Sequence, residues 1–148
     1  MVRFIQKAIV AMALALTPAM PSFAQNVEAE APAALRGQGQ AIIDGQFKAF
    51  RSRDHQQAFG YAAPTLQQVF GSTDRFIGMV KNGYGAIYDA KQWKFGRSRM
   101  KDGDLYQEVF VSGPNGKEWK ALYTLRKQAD GSWKIGGVRL IPAGTLGT

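Results

Sequence analysis

The chain holds one histidine, His55, and it directly follows Asp54. A histidine base works best when a facing carboxylate fixes its tautomer, but neighbours one apart on a helix point in different directions. Asp54 fits better as the N-cap of a short helix, with His55 exposed in its first turn. Asp44 falls on a helical stretch as a surface group. Asp102, Asp104 and Asp130 stand beside turn glycines and are accounted for by turn chemistry. With one histidine and no cysteine, the chain has no thiol nucleophile, no thiolate metal site and no histidine cluster. The alternating oxygen ligands and terminal Glu of a calcium loop are also missing. No catalytic residue, no metal ligand and no cofactor is assigned.

The groups that can bind rather than react are Ser98, Gln107 and Tyr123, with Tyr61 and Tyr84 reaching the mouth of a pocket from the helical half. They hydrogen-bond well and are poor general bases at neutral pH. Their placement follows from three turns. Asp102-Gly103 reads as a two-residue type I′ loop pairing Lys101 with Asp104, and hence Ser98 with Gln107, Gly96 with Val109 and Phe95 with Phe110. Pro114 cannot take a positive φ, so Gly113–Gly116 reads as a type I turn with a glycine bulge. It pairs Val111 with Trp119 and Gln107 with Tyr123. Asp130-Gly131, as a second two-residue loop, pairs Ala129 with Ser132, Tyr123 with Val138 and Ala121 with Leu140.

Alternation then divides the strands into two faces. The inner one carries Ser98, Gln107, Val109, Val111, Ala121, Tyr123 and Leu125, and lies under the helices. The outer one carries Trp93, Phe95, Tyr106, Phe110, Leu122 and Ile135 among charges, including an Arg97–Glu108 pair. That apolar patch implies a homodimer through the outer sheet face, or cover from a terminal segment. A bulge at Gly136-Gly137 would curve the last strand and re-aim Trp133 and Ile135.

The elements that position these residues are helical first and extended afterwards. Ile43, Phe47 and Phe50 form an apolar stripe from about Gly39, Asp54 caps a short helix, and Thr65 caps another that Gly71 closes. Ser72 to Asp74 start a helix that stops at Asn82-Gly83. A short strand is expected at Tyr84–Tyr88, and four more over 91–141. This order gives an α+β class, with N-terminal helices packed on a curved antiparallel sheet.

Residues 1–24 read as a cleavable export signal. Arg3 and Lys7 precede the apolar run Ala8–Leu16, and Ser22-Phe23-Ala24 puts small residues at the −3 and −1 positions before Gln25. Pro18 and Pro21 cut the run well short of the ~20 apolar residues that a membrane span needs. The expected layout is signal 1–24, flexible leader 25–38, one domain 39–142 and tail 143–148, secreted across the inner membrane to the periplasm. The chain of 148 residues would then mature to 124, with 17 basic against 11 acidic residues and a net charge of +6. That basicity is scattered, which argues against a nucleic-acid partner. No membrane span is expected in the mature chain.

The chain resembles a bacterial family known as domain of unknown function 4864, grouped with nuclear-transport-factor-2-like folds. The resemblance runs through Gln46-Phe47-Lys48-Ala49-Phe50, Ala58-Phe59, Ala63-Pro64 and Phe70-Gly71. It continues in Gly113-Pro114-Asn115-Gly116, Ala121-Leu122-Tyr123 and the stretch from Asp130 to Val138. It implies a cone of helices and curved sheet with a pocket at the open end, and it implies no activity. Two functions are therefore expected. One is an exported non-enzymatic binding or accessory module with a small apolar ligand. The alternative is a small-molecule isomerase, dehydratase or hydrolase using the same pocket.

Overall fold

A computed structural model describes residues 28–145. The export signal expected over 1–24 lies outside the described residues. Strand β1 (Ala29–Glu30) leads into helix α1 (Ala33–Arg51), followed by α2 (His55–Gly60), α3 (Pro64–Phe70), α4 (Thr73–Gly83) and α5 (Gly85–Tyr88). Strands β2 (Gln92–Lys101), β3 (Asp104–Ser112), β4 (Glu118–Lys127) and β5 (Trp133–Pro142) complete an antiparallel sheet in the order β1-β2-β3-β4-β5. The fold is α+β, helices first and sheet after, and a 3₁₀ turn at Ala143–Thr145 follows it.

Helix α1 starts at Ala33, six residues before the expected Gly39, and β1 pairs Ala29 with Met100. From residue 28 onward, then, the supposed flexible leader belongs to the fold. Residues 25–35 carry no sustained apolar periodicity to mark the start of the helix. Gly39 is in fact a packing residue: a Cβ there would come within 2.5 Å of Leu105. The expected stripe holds, with Ile43, Phe47 and Phe50 all buried. Asp54 caps α2 by accepting the Gln57 amide at 3.1 Å, and Ser72 caps α4 by accepting that of Arg75 at 3.3 Å. Helix α3 begins with Pro64 at its first position instead of a Thr65 cap, and ends on Gly71 at φ 76°.

The strand expected at Tyr84–Tyr88 is instead α5. The Tyr84 carbonyl accepts the amides of both Ile87 and Tyr88, and Ala86, Ile87 and Tyr88 are buried in succession, without alternation.

Two of the three turns form as expected. Asp102 and Gly103 have φ values of 52° and 82°, as a type I′ loop requires, and Lys101 pairs with Asp104. The Gly113 amide donates to Lys117, and Gly116 takes φ 71°. The third turn differs. Gln128 donates to Ser132, and in that turn Gly131 alone has a positive φ, because Asp130 bonds the Ser132 amide and hydroxyl instead of adopting the left-handed conformation. The pairing beyond it is therefore Lys127 with Trp133 and Leu125 with Ile135. A bulge at Gly136 then restores the expected pairs Tyr123–Val138 and Ala121–Leu140.

A second bulge, between Phe95 and Ser98, shifts the start of β2, so Phe95 pairs with Val109 and Trp93 with Val111. These bulges overturn three outer-face assignments. Trp93 and Phe95 turn inward and pack on the core, and Ile135 is buried in it. The Trp93 ring stacks on Phe47 at 4.8 Å, and its Nε1 donates to Asp44 at 2.9 Å. Only Tyr106, Phe110 and Leu122 of the proposed interface stay on the outer face, opposite Thr124, Lys120 and Glu108. The Glu108 carboxylate bonds Lys120 and the Arg97 backbone amide, not the Arg97 guanidinium.

Candidate functional site

The inner face of the sheet centres on Leu105, Val109, Val111, Ala121, Tyr123 and Leu125, all with no solvent exposure. Ser98, Gln107 and Tyr123 share this face and are buried, with Ser98 across from Gln107 and Gln107 across from Tyr123. They do not form one polar site. The Gln107 amide nitrogen points at the carbonyls of Gly96 (3.2 Å), Arg97 (3.2 Å) and Glu108 (2.8 Å). Its Oε1 accepts from the Ser98 hydroxyl and from Gln40 Nε2. Gln107 and Ser98 therefore hold the β2 bulge together and have little left to offer a ligand.

Tyr123 is different. Its side chain is fully buried, and its hydroxyl has no hydrogen-bond partner among the described residues. Tyr123 is also one of the residues lining a cavity of about 240 Å³ walled by α1, α3, α4, α5 and the inner faces of β4 and β5. The walls are mostly apolar, with Phe50, Phe70, Phe76, Ile87, Ile135 and Val138 prominent. Among the described residues Gln46, Tyr84 and Tyr123 are its polar side chains, and no charged residue lines the cavity. Burial pushes the Tyr123 phenol far above its ordinary pKa, so it keeps its proton and can donate a hydrogen bond at any physiological pH.

Each polar wall group is placed by a local feature. Gln46 sits within the apolar stripe of α1, where its Nε2 donates to the Ala58 carbonyl at 3.1 Å and ties α1 to α2. Its Oε1 makes no hydrogen bond within the described residues. Tyr84 terminates α4 and donates its hydroxyl to the Val138 carbonyl at 3.2 Å. Tyr61 does not line the cavity; its hydroxyl is pressed against Gly45 of α1, where any Cβ would collide with it. Of the five expected pocket residues, Tyr84 and Tyr123 thus reach the cavity, while Ser98, Gln107 and Tyr61 are engaged elsewhere.

Sequence reasoning missed Gln46, Leu66, Met79 and the cavity-facing Ile135. The signal for Gln46 was present: a polar residue three after Ile43 and four before Phe50 interrupts an apolar stripe.

The groups with acid–base chemistry lie outside this cavity. Asp54 is engaged as a cap, and His55 Nε2 lies 2.9 Å from the Tyr88 hydroxyl. Arg53 stacks over the Tyr88 ring at 4.1 Å and pairs with Asp89 at 2.6 Å. These contacts hold Arg53 at a φ of 60° just past the end of α1. Among the described residues no cluster of His, Asp and Glu has a metal-binding arrangement, and no helix is long and apolar enough to cross a membrane.

Fold and site together define, over the described residues, a small α+β domain with a neutral, mostly apolar cavity lined in part by Tyr123, whose hydroxyl is buried without a partner. Residues 32–147 match the family model described as "Domain of unknown function (DUF4864)", and the chain belongs to that family. No curated protein and no solved structure matches it.

Proposed function

We propose that this protein is an exported binding module, without catalytic activity of its own, that holds a small apolar molecule in the cavity between α3, α4 and the inner sheet face. The observation that carries this reading is a mostly apolar cavity lined by Tyr123, whose hydroxyl is buried and has no partner among the described residues. Leaving such a group unsatisfied costs roughly 1–3 kcal/mol, so its presence calls for an explanation, and a ligand supplies one. Apolar walls with a few oriented polar groups are the usual make-up of a small-molecule site. The enzyme alternative calls for a carboxylate or histidine on the reacting atoms, whereas the polar wall groups are one amide and two phenols. Export rests on the signal pattern of residues 1–24.

Toluene serves as a minimal probe. It should raise the thermal midpoint of the protein starting at Gln25, as any ligand of the native state does. The same toluene should not stabilise Leu66→Trp, whose added rings occupy the cavity from α3 while circular dichroism reports an intact fold. An equal response from both proteins would place toluene elsewhere and remove the basis of the reading.

A further inference from the structure

The chemistry of the walls narrows the ligand, given the binding reading above. Among the described residues no charged side chain lines the cavity, so an ionised group seated between these apolar walls would have no counter-charge, at high cost. The ligand is therefore neutral. Its size follows from the volume: an engineered cavity of ~150 Å³ accommodates benzene, so about 240 Å³ takes one ring with a few further atoms, or a short chain.

The walls also favour a ring. Phe50, Phe70 and Phe76 line the cavity and pack on one another, Phe76 edge-on to Phe70 at 5.6 Å and stacked with Phe50 at 6.2 Å, and another ring suits such aromatic walls. Finally, Tyr123 brings a proton that the protein itself does not use. A neutral phenol is a good donor, and a carbonyl oxygen is a good neutral acceptor for it.

We propose that the cavity selects a neutral one-ring or short-chain carbonyl compound, its apolar body against Phe50, Phe70 and Phe76 and its carbonyl oxygen accepting a hydrogen bond from the Tyr123 hydroxyl.

Three probes of nearly equal size test each element: acetophenone (neutral, carbonyl), ethylbenzene (neutral, no acceptor) and benzoate (anionic). Dissociation constants come from NMR titrations of the protein from Gln25 onward and of its Y123F variant. Losing one buried hydrogen bond should weaken acetophenone roughly threefold to tenfold in Y123F. Ethylbenzene should bind Y123F as well as the wild type, or more tightly. Comparing each probe across the two proteins cancels the difference in the probes' own hydrophobicity. Benzoate should bind the wild type at least about tenfold more weakly than acetophenone at pH 7.

If Y123F changes acetophenone and ethylbenzene by the same factor, the hydroxyl is not the carbonyl's partner and the inference fails while the binding reading survives. Tighter benzoate binding would overturn the neutral ligand. If neither neutral probe binds the wild type, the binding reading itself falls. Removing an unsatisfied hydroxyl should leave Y123F at least as stable as the wild type, so loss of folding cannot stand in for loss of binding.

Discussion

The Gln107 side chain is buried completely, and its amide nitrogen faces three backbone carbonyls from the strand bulge of β2 and from its own strand. A bulge leaves ladder groups unpaired, and buried carbonyls need donors. Gln107→Leu keeps the volume but removes those donors, which should cost roughly 1–3 kcal/mol. Urea unfolding would measure it, and a loss under ~0.5 kcal/mol, the ordinary range for surface substitutions, would mean the bulge stands without the clamp. Asp44 makes the other interaction worth testing at this scale. Its carboxylate pairs with Lys48 at 2.7 Å and accepts from Trp93 Nε1 at 2.9 Å. The hydrogen bond from Lys48 is the main cause of a pKa held below the ordinary carboxylate value. A carboxylate with a lowered folded-state pKa stabilises the fold above its unfolded value of about 3.9 and loses that contribution as pH falls through the folded value. Asp44→Asn should therefore be less stable than the wild type at pH 7, and the gap should narrow below about pH 4. A gap that stays constant from pH 7 to pH 3 would contradict the assignment.

At the scale of elements, turn chemistry was legible wherever backbone conformation alone determined it. Asp102-Gly103 and Gly113–Gly116 have few conformations open to them, and the pairs they imply next to the turns form in the structure. The Asp130-Gly131 turn was misread because Asp-Gly also fits a type I turn with a glycine bulge when the aspartate has a local partner, here Ser132. That error was then cancelled by the Gly136 bulge, so Tyr123 still meets Val138 while Ile135 sits on the opposite face from the one expected. The bulge before Ser98 was not legible, since its cause is a glutamine on the next strand reaching back to two carbonyls. Placement of Trp93 and Phe95 depends on that tertiary contact, and a pattern of alternation carries no trace of it. The same holds for α1, whose first two turns contain glycines that lower local propensity, while packing of Leu35 and the close approach of Leu105 to Gly39 favour the helix. The candidate site was legible only in part: Tyr123 and Tyr84 were within reach of register and position, but a cavity between four helices and a sheet is a property of packing.

Over the whole molecule, stability should be distributed unevenly, and the weakest part stands over the cavity. Seven inner-face residues of β3 and β4, Gln107 among them, have no solvent exposure, and these strands are paired on both sides. Helix α3, by contrast, has seven residues and not one buried side chain, and its Val69 is 76% exposed. Its anchors are the Gln67 amide, which donates to the carbonyls of Phe59 (3.2 Å) and Ala62 (3.0 Å), and Leu66 and Phe70, which form part of the cavity wall. Local opening free energy follows buried apolar contact, so α3 can detach without global unfolding, whereas β4 cannot. Amides of α3 should exchange with deuterium at least about a hundredfold faster than those of β4, a difference of roughly 2.7 kcal/mol in opening free energy. A molecule in the cavity touches Leu66 and Phe70 only when α3 is closed, so saturating acetophenone should slow exchange in α3 selectively and leave β4 unchanged. Hydrogen exchange read by mass spectrometry would resolve the two segments. Equal protection of α3 and β4 in the free protein would make the helix part of the global unfolding unit and close this route into the cavity.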